Sequence, residues 1–241
     1  MEITRSAQAR AFGAQLAFKV NSRPASDAYD FLAPILAEKT PFRLLDLIGG
    51  GLAECPDPQL GSFLEEIAAH AALGGWTVIA SALRSRFPLG MEKILQLARH
   101  FIVQADAWFA CDCFGERVLG QALVNEFDTV LQILSSWRFD QNRWIRRSVG
   151  VAGHFWAKRA RGALQQSARA VELMAFFKPL LNEPQIDAAK GTGWALKTLG
   201  RSYPQALFNF LNDSKSGNFS PVILRKALKF LPKEMRTAIS H

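Results

Sequence analysis

Val124-Asn125-Glu126-Phe127-Asp128-Thr129-Val130-Leu131-Gln132-Ile133-Leu134-Ser135-Ser136-Trp137 is the stretch that decides the fold class. Val124, Phe127, Val130, Leu131, Leu134 and Trp137 recur at steps of three and four, which lines apolar side chains along one side of a helix. Working outward, helix-type spacing also predicts helices over 27–38, 42–53, 59–73, 76–86 and 91–104. Downstream it predicts helices over 143–161, 164–181, 184–201, 205–211, 221–231 and 233–240. Pro24, Pro41, Pro56, Pro58, Gly74-Gly75 and Pro88 punctuate the first half, and Pro34 predicts a kink or break within 27–38. Strand-like alternation is almost absent. The expected fold is all-α: a curved solenoid of HEAT-like antiparallel helix pairs of ~40 residues, in which every second helix lines a concave surface. A compact irregular bundle is the competing architecture.

The chain has 241 residues, 49% hydrophobic and 21% charged, the composition of a globular protein with ample material for a core. Its longest uncharged run, 67–83, is broken by glycines and short of the ~20 residues a membrane-crossing helix needs. No signal-type apolar segment opens the sequence, and three cysteines without disulfide spacing agree with a reducing compartment, so a cytoplasmic protein is expected. The formal net charge is +8, unevenly placed. Residues 1–120 hold 11 basic and 13 acidic side chains, and residues 121–241 hold 18 and 8. A polyanionic partner for the second half follows, nucleic acid or a membrane surface.

Those charges fall in rows. On a helix over 143–161, Arg143, Arg146, Arg147, His154, Lys158 and Arg161 lie within about 120° of one another. Gly150 sits amid them, where a missing side chain admits another backbone. Lys190, Trp194, Lys197 and Arg201 share a face of the helix over 184–201, and Arg225, Lys226 and Lys229 cluster further on. Arginines mixed with glycine and tryptophan suit phosphates and a sugar or base better than a merely solvated lysine face does. Residues 106–113, Asp-Ala-Trp-Phe-Ala-Cys-Asp-Cys, add a helical segment that points Trp108 and Asp112 the same way. An aromatic plate beside a carboxylate can hold a cation or a centre developing positive charge, although a core tryptophan with a structurally paired carboxylate fits the same spacing. Cys111 and Cys113 diverge by about 160° on a helix and lack further zinc-spaced ligands, so no metal or other cofactor is expected.

Taken in order, Trp108-Phe109-Ala110-Cys111-Asp112, Asn142 to Arg147, Gly193 to Lys197, and Ser220-Pro221 with Arg225 to Leu228 resemble successive landmarks of the bacterial DNA alkylation repair proteins of the AlkD-like type. The likeness spans about residues 106–229; over 1–105 it rests on helical character alone. One HEAT-like domain, 1–241, is therefore expected, with its basic and catalytic repeats in 106–241. The resemblance implies a DNA glycosylase that hydrolyses the N-glycosidic bond of cationic N3- and N7-alkylated purines in duplex DNA, without base flipping and without a cofactor. It further implies that Asp112 stabilises the sugar cation, with Trp108 and Trp194 against the lesion nucleotide and Arg147 beside the carboxylate. By the same likeness Lys197 contacts the backbone, where the family commonly has arginine. Arg143, Arg146, Lys158, Arg161, Lys190, Arg201, Arg225, Lys226 and Lys229 complete the expected DNA contacts of a monomer. A DNA-binding relative that cleaves nothing and a helical scaffold for an acidic protein remain alternatives, and an Asp112–Arg147 pair would serve a structural salt bridge equally well.

Overall fold

The computed structural model describes residues 2–214 and 217–240, and within them every regular element is helical. The all-α expectation holds. No helix among the described residues is long and apolar enough to cross a membrane. The chain divides into two compact units, Met1–Val118 and Leu119–His241.

In the first unit α1 (Ser6–Ser22), α2 (Ala25–Ala37), α3 (Phe42–Gly50), α4 (Asp57–Ala69), α5 (Leu73–Arg84), α6 (Met91–Ala105) and α7 (Trp108–Phe114) follow one another. Alternate helices pack in series: α1 on α3, α3 on α5 and α5 on α7 form one layer, while α2, α4 and α6 form the other. The 42–53 helix ends early at Gly50, and α2 runs through Pro34 without a break. Pro34 lies on the exposed side, where solvent can meet the carbonyl that a proline leaves without a donor. Helix α1 lies outside the expected set. Its N-terminus is held by the Gln8 side chain, which accepts the backbone N–H of Thr4 and of Arg5, and its buried stripe is Ala9, Phe12, Gly13, Leu16 and Val20.

After α7 the backbone widens into a π-helical turn, Gly115–Gly120. The second unit continues with α8 (Gln121–Asn125), α9 (Phe127–Trp137), α10 (Arg143–Ala160), α11 (Ser167–Phe176), α12 (Ile186–Ser202), α13 (Pro204–Asp213), α14 (Pro221–Ala227) and α15 (Lys233–Ser240). Short 3-10 turns flank α11 and follow α14, so the helices expected over 164–181 and 221–231 are composite. The 124–137 stretch is also divided: Glu126, at φ −136° and ψ 68°, separates α8 from α9. Phe127, Val130, Leu131, Leu134 and Trp137 are buried as the spacing requires, whereas Val124 belongs to the preceding helix. Here α8, α10, α12 and α14 make one layer, and α11, α13 and α15 pack in series in another.

The tightest packing is α10 on α12. A Cβ on Gly150 would stand 2.6 Å from the Gly191 carbonyl oxygen and closer still to the Gly191 carbonyl carbon and the Thr192 nitrogen. A Cβ on Gly191 would come within 3.0 Å of the Arg147 Cα. Only glycine permits backbones this close, the role expected of Gly150. The contact also relocates the middle of the basic row on α10. Arg147, Gly150 and His154 are buried rather than open to solvent.

Candidate nucleic-acid interface

Helix α7 carries the acid and one indole. Trp108 opens it with 60% of its surface exposed, its ring edge-on to Phe109 at 5.9 Å between centroids. Asp112 follows four residues later, half-buried, on the same side of the helix. The alternate positions face the core: Ala110, Cys111, Cys113 and Phe114 are buried. Burial pushes the Cys113 thiol up to about 11, so it stays protonated at neutral pH, with its Sγ 3.6 Å from the Thr77 hydroxyl. The π-helical turn that follows is pinned by Arg117, whose Nε donates to Asp46 Oδ1 at 2.7 Å. Ser81 donates to the same oxygen at 2.6 Å. Neither Asp46 nor Arg117 carried a motif in the sequence; 71 residues separate the partners.

In the second unit the expected cations divide by what they touch. Arg146 does not join the row it shares in sequence. Its Nε and Nη2 grip Glu183 at 2.7 and 2.9 Å, and its Nη1 donates to the carbonyls of Asp140 and Gln141. Because Glu183 is almost fully buried, this bidentate pair joins α10 to the start of α12 and, with the two carbonyls, takes up four of the five guanidinium N–H groups. Arg147, 7% exposed, donates from Nη1 to the Asp187 carbonyl at 3.1 Å. Arg143 lies over the Trp144 ring at 4.8 Å and approaches Asp187, which also accepts from Lys190 at 3.3 Å. Asp187, in the first turn of α12, thus organises three of the expected basic residues; its spacing three before Lys190 was the available signal.

The remaining cations gather. Arg201, Lys197 and Lys229 surround the Phe230 ring at 4.0, 5.6 and 5.9 Å. The half-buried Lys226 has its pKa lowered, first by burial and then by repulsion from Lys197, Arg225, Arg147 and Lys190. Its stem lies against Gly193, where a Cβ would meet Lys226 Cδ at 2.7 Å. The cluster therefore spans α10, α12 and α14. Lys158 is exposed near the end of α10, and Arg161 is exposed at its left-handed cap, φ 52°. Phe230 as the hub of three cations has no counterpart in the sequence reading.

Trp194 is half-buried and stacks in parallel on His154, centroids 4.2 Å apart and planes at 17°. Residue type alone placed His154 among the bases of its helix, and the structure corrects this. Burial first, then Lys158 and Lys197, depress its pKa to about 4, so it is neutral at physiological pH. Its Nδ1 lies 2.7 Å from the Thr198 hydroxyl.

Together these features describe a helical protein with an aromatic–carboxylate pair on α7 in one unit and a consolidated cationic face on α10, α12 and α14 in the other. The chain belongs to the DNA alkylation repair enzyme family, which matches residues 61–231. The match begins well before the first landmark at Trp108 and so takes in helices that the sequence likened to the family only by helical character. A part in the repair of alkylated DNA, with DNA as what it acts on, follows from that membership. No curated protein and no solved structure matches the chain.

Proposed function

We propose that the protein is a DNA glycosylase that hydrolyses the N-glycosidic bond of cationic N3- or N7-alkylated purines in duplex DNA, leaving the base unflipped. The observation that carries the reading is the shared face of α7, where an exposed indole and a carboxylate that is not sealed away stand one turn apart. An alkylated purine of this class bears a formal positive charge, so it departs as a neutral base without needing a strong general acid. What the chemistry needs is stabilisation of the oxocarbenium character that develops on the sugar, together with a positioned water. One ionised carboxylate serves both needs, where ordinary sugar hydrolysis uses two carboxyl groups. Asp112 takes that role. Trp108 offers a ring face to a cationic nucleotide, and Trp194 is a second ring able to do so.

The cations on α10, α12 and α14 would track phosphates: Arg143, Lys158, Arg161, Lys190, Lys197, Arg201, Arg225, Lys226 and Lys229. Arg146 drops out of this set because Glu183 holds it. Lys197 replaces the arginine common in the family and meets a phosphate as a point charge, not as a fork. Within each unit, alternation of two helix layers supports reading the helix pairs as loose HEAT-class repeats.

The test is release of 7-methylguanine or 3-methyladenine from methylated duplex DNA. Release is expected from the wild type and is lost in Asp112→Asn, with duplex binding retained. Salt-sensitive binding without release would leave a non-catalytic DNA-binding protein, and release undiminished in Asp112→Asn would remove Asp112 from the chemistry.

A further inference from the structure

His154 is buried, uncharged and used by no step of the chemistry above, yet it lies flat on one of the two indoles. The geometry around it is closed. Thr198 sits one turn beyond Trp194 and gives its single hydroxyl hydrogen to the Trp194 carbonyl at 3.1 Å. The same hydroxyl oxygen lies 2.7 Å from His154 Nδ1, so with its hydrogen on the carbonyl it accepts from an Nδ1–H of the imidazole. The ring that stacks on the indole is thus tied by its own hydrogen bond to the backbone turn from which that indole springs. Gly150 and Gly191, one turn before His154 and Trp194, hold α10 and α12 at the spacing this stack requires.

We propose that His154 is the positioning residue for Trp194: its ring covers one face of the indole, so that the other face is presented to a cation-bearing nucleotide. The assignment rests on the reading that Trp194 meets such a nucleotide. It adds a reason for an imidazole there. An indole face attracts a cation through its π-electron density, and a positive charge against the opposite face draws on the same density and repels the incoming cation. A neutral flat ring supports the plane without that penalty. Burial, together with Lys158 on the same helix and Lys197 on α12, keeps the imidazole in the neutral form.

The experiment compares affinities for two duplexes at fixed pH and salt, one carrying a cationic pyrrolidinium abasic analogue and the other a neutral tetrahydrofuran analogue. The ratio of the two affinities cancels any general change in DNA binding. The wild type is expected to favour the cationic duplex. His154→Phe, which keeps a flat neutral ring, retains the ratio within about twofold, and His154→Arg lowers it by about 3- to 30-fold, the range of a cation–π contact. A wild-type ratio near one, an unchanged ratio in His154→Arg, or an equal fall in both variants overturns the proposal. Should His154→Arg fail to fold, nitrogen NMR of the wild-type histidines decides. The expected spectrum shows a neutral Nδ1–H ring that does not titrate between pH 5.5 and 8, and a His154 that titrates near its ordinary value overturns the assignment. Because binding is read without bond breaking, the outcomes separate. No base release with a ratio sensitive to residue 154 removes the hydrolytic function alone, and normal release with an insensitive ratio removes His154 alone.

Discussion

Substituting alanine for Gly150 isolates the feature on which the second unit is built. On propensity alone the change should help, since glycine within a helix costs about 1 kcal/mol relative to alanine. The structure reverses the sign. The new Cβ would stand 2.6 Å from the Gly191 carbonyl oxygen and nearer still to two further backbone atoms, none of which belongs to a side chain that could rotate away. Relief requires α10 and α12 to separate by about 1 Å, which loosens the most extensively packed helix pair of the chain. Overpacking of this kind typically costs about 1–3 kcal/mol, more where backbone must move. After the propensity gain is set against it, a net loss of about 2 kcal/mol is expected. That corresponds to a fall of about 4–8 °C in melting temperature for a chain of this size. Gly61 supplies the control: it lies exposed in α4, and a Cβ there would meet nothing within 4 Å. Gly61→Ala should stabilise by about 0.5–1 kcal/mol. Urea titration followed by circular dichroism reads both variants. Equal or higher stability of Gly150→Ala would refute the account of how α10 and α12 are spaced.

Three further outcomes follow from the same contacts. Arg146→Ala strands the buried Glu183 carboxylate and should cost about 3–5 kcal/mol in urea denaturation, with a paired Arg146→Met, Glu183→Leu replacement recovering most of it. His154 has a folded pKa of about 4 against an ordinary 6.5. As pH falls, the unfolded chain therefore takes up the proton first. The contribution of this group is full above 6.5 and is lost between 6.5 and 4, about 3 kcal/mol in all, and stability profiles of the wild type and His154→Gln should differ by that slope. Arg201→Ala and Lys229→Ala, each removing one exposed cation beside Phe230, should each lower the slope of log affinity against log salt by about 1 in duplex binding. A slope unchanged in both would take these residues out of contact with phosphate.

What the sequence could reveal was what local spacing encodes. The apolar steps of 124–137 gave the helix class, five of the six apolar positions they single out are buried, and the glycine within the basic row of α10 foretold a close backbone approach. Helix α1 escaped because its stripe depends on small residues. Ala9 and Gly13 carry little apolar signal, yet Gly13 is buried where a Cβ would meet the Ile48 carbonyl oxygen at 3.0 Å. Nothing local distinguishes Arg146 from Arg147. Glu183, 37 residues downstream, binds the one, while the carbonyl of Asp187 receives the other. His154 was misjudged for a related reason, since a histidine's charge is set by burial and neighbours that only the fold assembles.

The glycines and the cations of the second unit are one arrangement. Like charges repel, and the pKa of Lys226, lowered first by burial, is lowered further by Lys197, Arg225, Arg147 and Lys190. Such a cluster has to be held together by contacts that do not depend on charge. Gly150 against Gly191 and Gly193 against the stem of Lys226 are close contacts of that kind, on the three helices that bear the cations. On the proposed reading, a phosphate chain bound there would relieve that repulsion, and the close helix contacts would hold the cations in place for it. Larger residues at 150, 191 or 193 would spread the helices, ease the repulsion and weaken DNA binding without removing a single charge. That outcome would distinguish the proposed polyanion site from a surface that is merely basic.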